Sequence, residues 1–459
     1  MRLQEIIGII RENFTLALVG VIVVGIIFFL GYFIVYRKLL GGKKRLSKKQ
    51  LLLASLFIGY FIMVIGVTFL NRSSTYPGGV NLAFFSSYRE AWYSFSVREW
   101  QFLYLNILMF VPFGIFLPLW HARFRKARWT IGMAAVFTLS IETFQLLTGF
   151  GIFEVDDLFN NLLGAIIGYG IIMGILTIKD KGIKHSLLYF SPLLLVVLLS
   201  GSMFAYYYKK EFGNLIIVPN YKTNMASATI TNDVQLDDQR KNVPIYKAPS
   251  YTRVSGEEFA VDFFKRQHLD TEDMEVITYP DEGIYRIQGY SIWFQFLDGS
   301  YRYTDFSNFD AESKDTNKKT LKDSVTTFDI DIPEDADFQK VDTGIYEWTA
   351  DKIVNGNQLI DGSLNVQYYN DDTVKNIDNQ LITYDKVKDV QIKSEQEAYD
   401  EILAGKFKYY PENNRLEALH IDQVEVSYYL DSKGYYQPVY AFQSTIDGRE
   451  MMIYIPGMD

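Results

Sequence analysis

EVDDLFNNLLGAIIGYG, residues 154–170, is the stretch on which the fold turns. Two acidic residues, Asp156 and Asp157, open a helix that is otherwise apolar. Asn161 follows Asp157 by one turn, and Gly164 and Gly168 continue the stripe at helical spacing. Small residues in a row on an apolar helix let a second helix approach closely in a membrane, where packing rather than water exclusion drives association. An ionisable group there costs about 2.5–3.5 kcal/mol, so it is expected to face a bundle interior and to have partners.

Working outward, six stretches are long and apolar enough for a hydrocarbon core of about 30 Å. They lie near 14–36, 51–70, 102–120, 129–147, 158–178 and 186–206, and the first reads as a retained helix rather than a cleaved leader. Residues 1–206 carry 19 Lys and Arg against 9 Asp and Glu, and the remaining 253 carry 26 against 45. A greasy, basic half joined to a polar, acidic one reads as an α-helical transmembrane bundle of six helices followed by a soluble α+β extracytoplasmic domain. The lipid bilayer is the first partner implied. An outer half with a net charge of −19 repels phosphate, which argues against nucleic acid. The chain has no cysteine and four histidines, so disulfides, thiolate sites and a His-rich metal centre are not expected, and no cofactor is implied.

Loop charges give an orientation. Segments 37–49, 121–128 and 179–184 hold fourteen Lys and Arg, whereas 1–13, 71–101 and 148–157 hold five. The positive-inside rule places the first set in the cytoplasm, and with six spans the N-terminus and the C-terminal domain then face outward across the cell membrane.

Three spans carry polar residues toward what reads as one ligand-binding site. Asn106 precedes VPFG, Glu142 and Gln145 sit three apart in SIETFQ, and Asp156, Asp157 and Asn161 head the next span. A purely structural account has Asp156 or Asp157 capping their own helix and Asn106, Gln145 and Asn161 tying helices together. Glu142 fits that account least, because a carboxylate is a costly tie. It requires protonation or a cation, for which Arg72, Arg89 and Arg98 are the candidates.

VNLAFF at 80–85, NILMFVPFG at 106–114, SIETFQ at 140–145 and EVDDLFNNLLGAIIG at 154–168 occur in an order that resembles the VanZ-like family of bacterial membrane proteins, over roughly residues 50–180. The resemblance makes Asn106, Pro112, Gly114, Glu142, Gln145, Asp157, Asn161 and Gly164 this chain's versions of the family signature. It also implies a link to teicoplanin resistance, the property for which the family is named, but supplies no biochemical mechanism. Family members often carry an arginine in the turn before the acidic pair. TGFGIF at 148–153 has none, so a cation beside Asp157 must come from elsewhere.

Beyond Tyr206 the grammar becomes short alternating strands and turns. Residues 207–250 read as a stalk with a strand at LIIVP, 215–219. Residues 251–390 read as one α+β unit, with a helix at 255–267, a hairpin over 283–307 turning at Asp298-Gly299, and strands at 325–332 and 345–351. Residues 391–459 read as a second, related unit, with a capped helix at 394–407 and a meander over 424–456. This half resembles, more weakly, extracytoplasmic regulators of the YycH/YycI type and PepSY-like modules, which implies action by protein contact. It has no G-x-S-x-G elbow, no S-x-x-K with its companions and no H-E-x-x-H.

The expectation is therefore a non-catalytic envelope protein that modulates glycopeptide tolerance. Its bundle binds a teicoplanin-type antibiotic or a lipid-linked envelope precursor, and residues 251–459 contact another envelope protein. The alternative is a membrane-embedded enzyme or lipid-handling protein that uses Glu142 as acid and base.

Overall fold

The structure is a computed structural model that describes residues 38, 47–66, 68, 79–308, 310–409 and 416–458. The chain divides into two compact units, Met1–Glu211 and Phe212–Asp459.

In the first unit α1 (Lys48–Ile65) starts at Ser47, whose side chain and that of Gln50 form a reciprocal capping box. A two-residue strand β1 (Val80–Asn81) and a short helix α2 (Ser86–Ser94) follow, then the long helices α3 (Val97–Trp120) and α4 (Ala127–Thr148). Strand β2 (Phe153–Glu154) leads into α5 (Val155–Lys181) and α6 (Ile183–Lys209). Of the six expected spans, four are present among the described residues as helices long and apolar enough to cross a membrane, α3 to α6, and Leu52–Ile65 is a shorter apolar helix. The expected span 14–36 lies outside the described residues, as do 67, 69 and 70 of the expected span 51–70.

Helix α5 is the centre of the unit, and glycine decides how closely its neighbours come. A Cβ added at Gly164 would lie 1.9 Å from the carbonyl oxygen of Ile107, and one at Gly168 would lie 2.0 Å from that of Val111. Gly114 on the facing helix would meet the Ala165 carbonyl at 2.1 Å. The backbones of α3 and α5 thus touch along a strip that no larger residue fits, as the small-residue stripe predicts. Gly170 and Gly174 make the corresponding room for Tyr189 and Phe190 of α6. On the other side an aromatic cluster of Phe57 and Tyr60 with Phe113, Phe116 and Phe137 joins α1, α3 and α4. Leu188, Leu195, Leu198 and Leu199 leave an exposed apolar face on α6, suited to hydrocarbon.

The second unit contains a sheet of fourteen strands, with its helices packed on two separate cores. The first core gathers Phe263, Phe264, Tyr285, Leu321 and Trp348 around helices Arg253–Arg266 and Lys318–Thr326. The second gathers Ala398, Ile402, Phe407, Tyr440 and Phe442 around helix Glu395–Leu403. Between them lies a smaller cluster of Tyr246, Leu359, Ile382 and Tyr384. The expected helix starts at its Ser394 cap but ends at Leu403, short of 407, and the expected meander consists of strands Ala418–Leu430, Tyr435–Ile446 and Arg449–Pro456.

Three local expectations differ. Residues 242–247, read as stalk, form an inner strand that pairs with 382–391 and with Tyr435–Tyr436. LIIVP is a turn, with Leu215 and Ile217 buried against Val439. Residues 325–332 are the end of helix Lys318–Thr326 and an irregular segment, although Phe328, Ile330 and Ile332 are buried. Alternate burial along unpaired chain has the same period as a strand.

Substituting Gly168→Ala should cost about 1–3 kcal/mol through overpacking. Gly132→Ala, on an open face of α4, should be neutral or slightly stabilising, as compared by thermal melting in detergent. In the second unit Lys375 is buried between Asp305 at 3.1 Å and Asp371 at 2.9 Å. Lys375→Met leaves the buried Asp305 carboxylate without its ammonium partner and should cost about 3–5 kcal/mol. Burial opposes ionisation of Asp371, but hydrogen bonds from Thr373, Lys375 and Asn308 outweigh it and hold its pKa at about 2. An unfolded aspartate titrates near 3.9, so this stabilisation is complete above about pH 4 and is lost as the pH falls through 2, which acid titration of intrinsic fluorescence should register.

Candidate functional site

The polar residues of the bundle meet at the end where α3 and α5 begin and α4 stops. Two adjacent stripes on α5 divide them, because positions four apart lie one above the other on a helix. Asp157 and Asn161 face inward, toward α3 and α4. Asp156 and Asn160 face the segment 79–95, which folds across the end of the bundle.

On the inner stripe Asn106 Nδ2 donates to Asp157 Oδ1 at 2.6 Å, and Asn161 Nδ2 donates to Thr138 Oγ1 at 2.8 Å. The glycine contact explains the first pair. Seating the Ile107 carbonyl on Gly164 brings the preceding residue, Asn106, beside the first turns of α5. Thr138, Glu142 and Gln145 follow at helical spacing on α4 and all are buried, Glu142 to 2% exposure. The Glu142 carboxylate accepts the backbone N–H of Glu154 at 3.3 Å, so it faces the start of α5. Asn106 and Asp157 are only half-buried and form the more open part of the cluster.

On the second stripe Asp156 accepts the backbone N–H groups of Phe85 at 2.7 Å and Ser87 at 2.9 Å. It therefore caps α2. The expected cap on its own helix is not made: the N-cap of α5 is Glu154, without a side-chain bond. Tyr88 donates its hydroxyl to Asn160 Oδ1. Burial, and next the negative Asp156, push the Tyr88 phenol well up, so it stays a donor. Val80–Asn81 pairs in parallel with Phe153–Glu154, and the Asn81 amide reaches Ser86 and Glu154. At its far end the segment stacks Phe95 on Tyr207 of α6. Asp156, Asn160 and Asn81 thus form a clasp, distinct from the inner cluster.

Two buried amide atoms in this region, Asn160 Nδ2 and Asn161 Oδ1, have no hydrogen-bond partner among the described residues. Leaving such a group unsatisfied costs about 1–3 kcal/mol. The second atom adjoins the inner cluster. No group of three or more His, Asp or Glu suited to a metal occurs among the described residues. What the inner cluster offers is a row of hydrogen-bond donors and acceptors with two carboxylates, at the end of an apolar bundle.

Residues 57–177 match the family described as VanZ/LLP1. They form a VanZ-like domain. The inner cluster, the residues of the clasp and the glycines of α3 and α5 all lie inside the match. Within this VanZ-like domain, the Asn106 amide is a hydrogen-bond donor to Asp157. No curated protein matches the chain. Among solved structures, the Bacillus megaterium YpeB C-terminal domain aligns over 46% of this chain and 95% of its own, at 9% identity and a TM-score of 0.19. A likeness that slight carries no argument.

Of the expected site residues, Asn106, Asp157, Asn161, Glu142 and Gln145 lie in or beside the inner cluster, and Asp156 belongs to the clasp. Pro112 lies within α3 without ending it. Thr138, Asn160, Asn81 and Tyr88 were missed. The signal for two of them is spacing alone: Asn160 follows Asp156 by four residues, and Thr138 precedes Glu142 by four.

Asp156→Ala removes the carboxylate that accepts both backbone N–H groups of the clasp and should cost about 1.5–3 kcal/mol, the range for hydrogen bonds to a charged group. Limited proteolysis of the reconstituted protein should show earlier cleavage within 79–95, with Asp156→Asn intermediate.

Proposed function

We propose that this protein is a non-catalytic component of the bacterial cell envelope. In this reading the VanZ-like bundle binds the polar head of a membrane-anchored ligand at the inner cluster, on the outer side of the cell membrane. The ligand is a teicoplanin-type glycopeptide or a lipid-linked envelope precursor, and its capture raises tolerance to that antibiotic class. Residues 212–459 contact a protein partner.

The observation that carries the proposal is the inner cluster itself. Asn106 with Asp157, Asn161 with Thr138, and Glu142 come from three helices to one end of the bundle, beside an amide oxygen with no partner among the described residues. Polar groups gathered at membrane depth mark binding or transport paths, since as pure ties they are replaceable by cheaper apolar packing. A lipid-anchored ligand fits because its chains stay in hydrocarbon while its head reaches the cluster. The fourteen-to-five loop asymmetry supports an outward opening.

Antibiotic susceptibility of a host expressing the protein tests this reading, with membrane levels checked by blot. The wild type should raise teicoplanin tolerance several-fold with little change for vancomycin. Asp157→Asn should lose that protection, while Glu142→Gln, which keeps size and hydrogen bonding, should retain part of it. Complete loss in Glu142→Gln at normal levels would point instead to proton transfer by Glu142. No protection by the wild type would overturn the tolerance reading.

A further inference from the structure

Within the second unit a cleft of about 560 Å³ opens at the junction between the two cores. We infer that this cleft is a binding site for a lysine- or arginine-bearing peptide segment. Its volume lies in the range of sites that hold a ligand rather than a single ion or water. Its aromatic wall is Tyr384 stacked on Tyr436, with ring centroids 4.1 Å apart and planes 6° from parallel. Its polar lining includes the carboxylates of Asp298, Glu347, Asp351 and Asp361, and no lysine, arginine or histidine lines it.

The cleft has structural causes. The ladder between strands 345–355 and 358–368 shifts register between Ala350 and Ile353, and Lys352 there takes a left-handed φ of +52°. The bulge bends the strand and turns Asp351 outward. Opposite, Gly362 at φ +115° lies so near the Gln380 carbonyl that a Cβ would come within 2.1 Å of it, so the backbone forms that wall. Asp361 is held in place: Tyr436 donates to its Oδ2 at 2.6 Å, and the backbone N–H of Gly362 donates to its Oδ1 at 3.0 Å. Burial, and next Asp361 itself, push the Tyr436 hydroxyl well up, so it remains the donor.

Tyr436 stacks on both Tyr384 and Tyr428, so the rings form a rigid wall with covered faces, and it is the carboxylates beside them that suit a cationic side chain. The Lys352 ammonium lies 3.4 Å from Asp351, but the four carboxylates leave the cleft acidic, and this adds to the field of an outer half whose net charge is −19. A neutral sugar would hydrogen-bond to the carboxylates but gain no charge attraction from them, and an anionic polymer would be repelled. The site assigns a chemistry to the partner contact in the proposed function, yet it does not depend on the bundle's ligand.

The test uses the full chain in nanodiscs of zwitterionic lipid, with hexalysine as probe and hexaglutamate and chitohexaose as comparisons. Glu347→Gln with Asp351→Asn should weaken hexalysine binding about fivefold, two partly exposed charge pairs' worth. A control triple variant on helix Arg253–Arg266, Glu257→Gln, Glu258→Gln and Asp262→Asn, neutralises a separate acidic groove and should change binding less than about twofold. Tyr436→Phe frees Asp361 from its hydroxyl donor and should weaken hexalysine binding more than the control triple variant does. Equal losses in both charge variants would show diffuse attraction and overturn the site, as would chitohexaose binding where hexalysine does not. Because this readout is peptide binding, its failure leaves the antibiotic result untouched, and the reverse also holds.

Discussion

The contact of backbone on backbone between α3 and α5 is the constraint on which the membrane unit depends. With no side chain at Gly164 and Gly168, the carbonyls of Ile107 and Val111 rest directly on the neighbouring helix. That closeness fixes the rotation and height of α3 against α5. It delivers the Asn106 amide to the Asp157 carboxylate, a hydrogen bond at 2.6 Å in the more open part of the cluster.

From this axis the rest of the site is built by two stripes one residue apart. A shift of one position on a helix turns a side chain by about 100°, so Asp156 and Asp157, adjacent in sequence, serve different ends. The first holds the segment 79–95 across the bundle by its backbone N–H groups. The second joins the interior row with Asn161, Thr138 and Glu142. Identical chemistry is thus divided between a clasp and a candidate site by geometry alone.

Much of this was legible before any coordinates. Glycine spacing predicts the close helix, and carboxylates and amides stand out against an apolar run because each is costly there. Thr138 did not stand out, since a hydroxyl can bond its own helix backbone and is common in membrane helices. The clasp was not legible, because Asn81, Tyr88 and Asn160 acquire meaning only when residues some seventy positions apart pair. Helix α2 was read as loop because SSYREAWYS is short and polar. In the second unit, alternation marked most strands but misplaced 325–332, and it gave no hint that 242–247 lies inside the sheet, since its partner strand is far along the chain.

The central claim is that Asn106 and Asp157 face one another as a hydrogen-bonded pair across α3 and α5. Exchanging them tests it most directly. Asn106→Asp alone sets two carboxylates against each other and should lower the melting temperature of the purified protein. Adding Asp157→Asn restores one amide and one carboxylate in the reverse order, and should recover most of that loss. Losses that simply add in the double variant would mean that the two side chains do not meet, and the account of the site would fall with them.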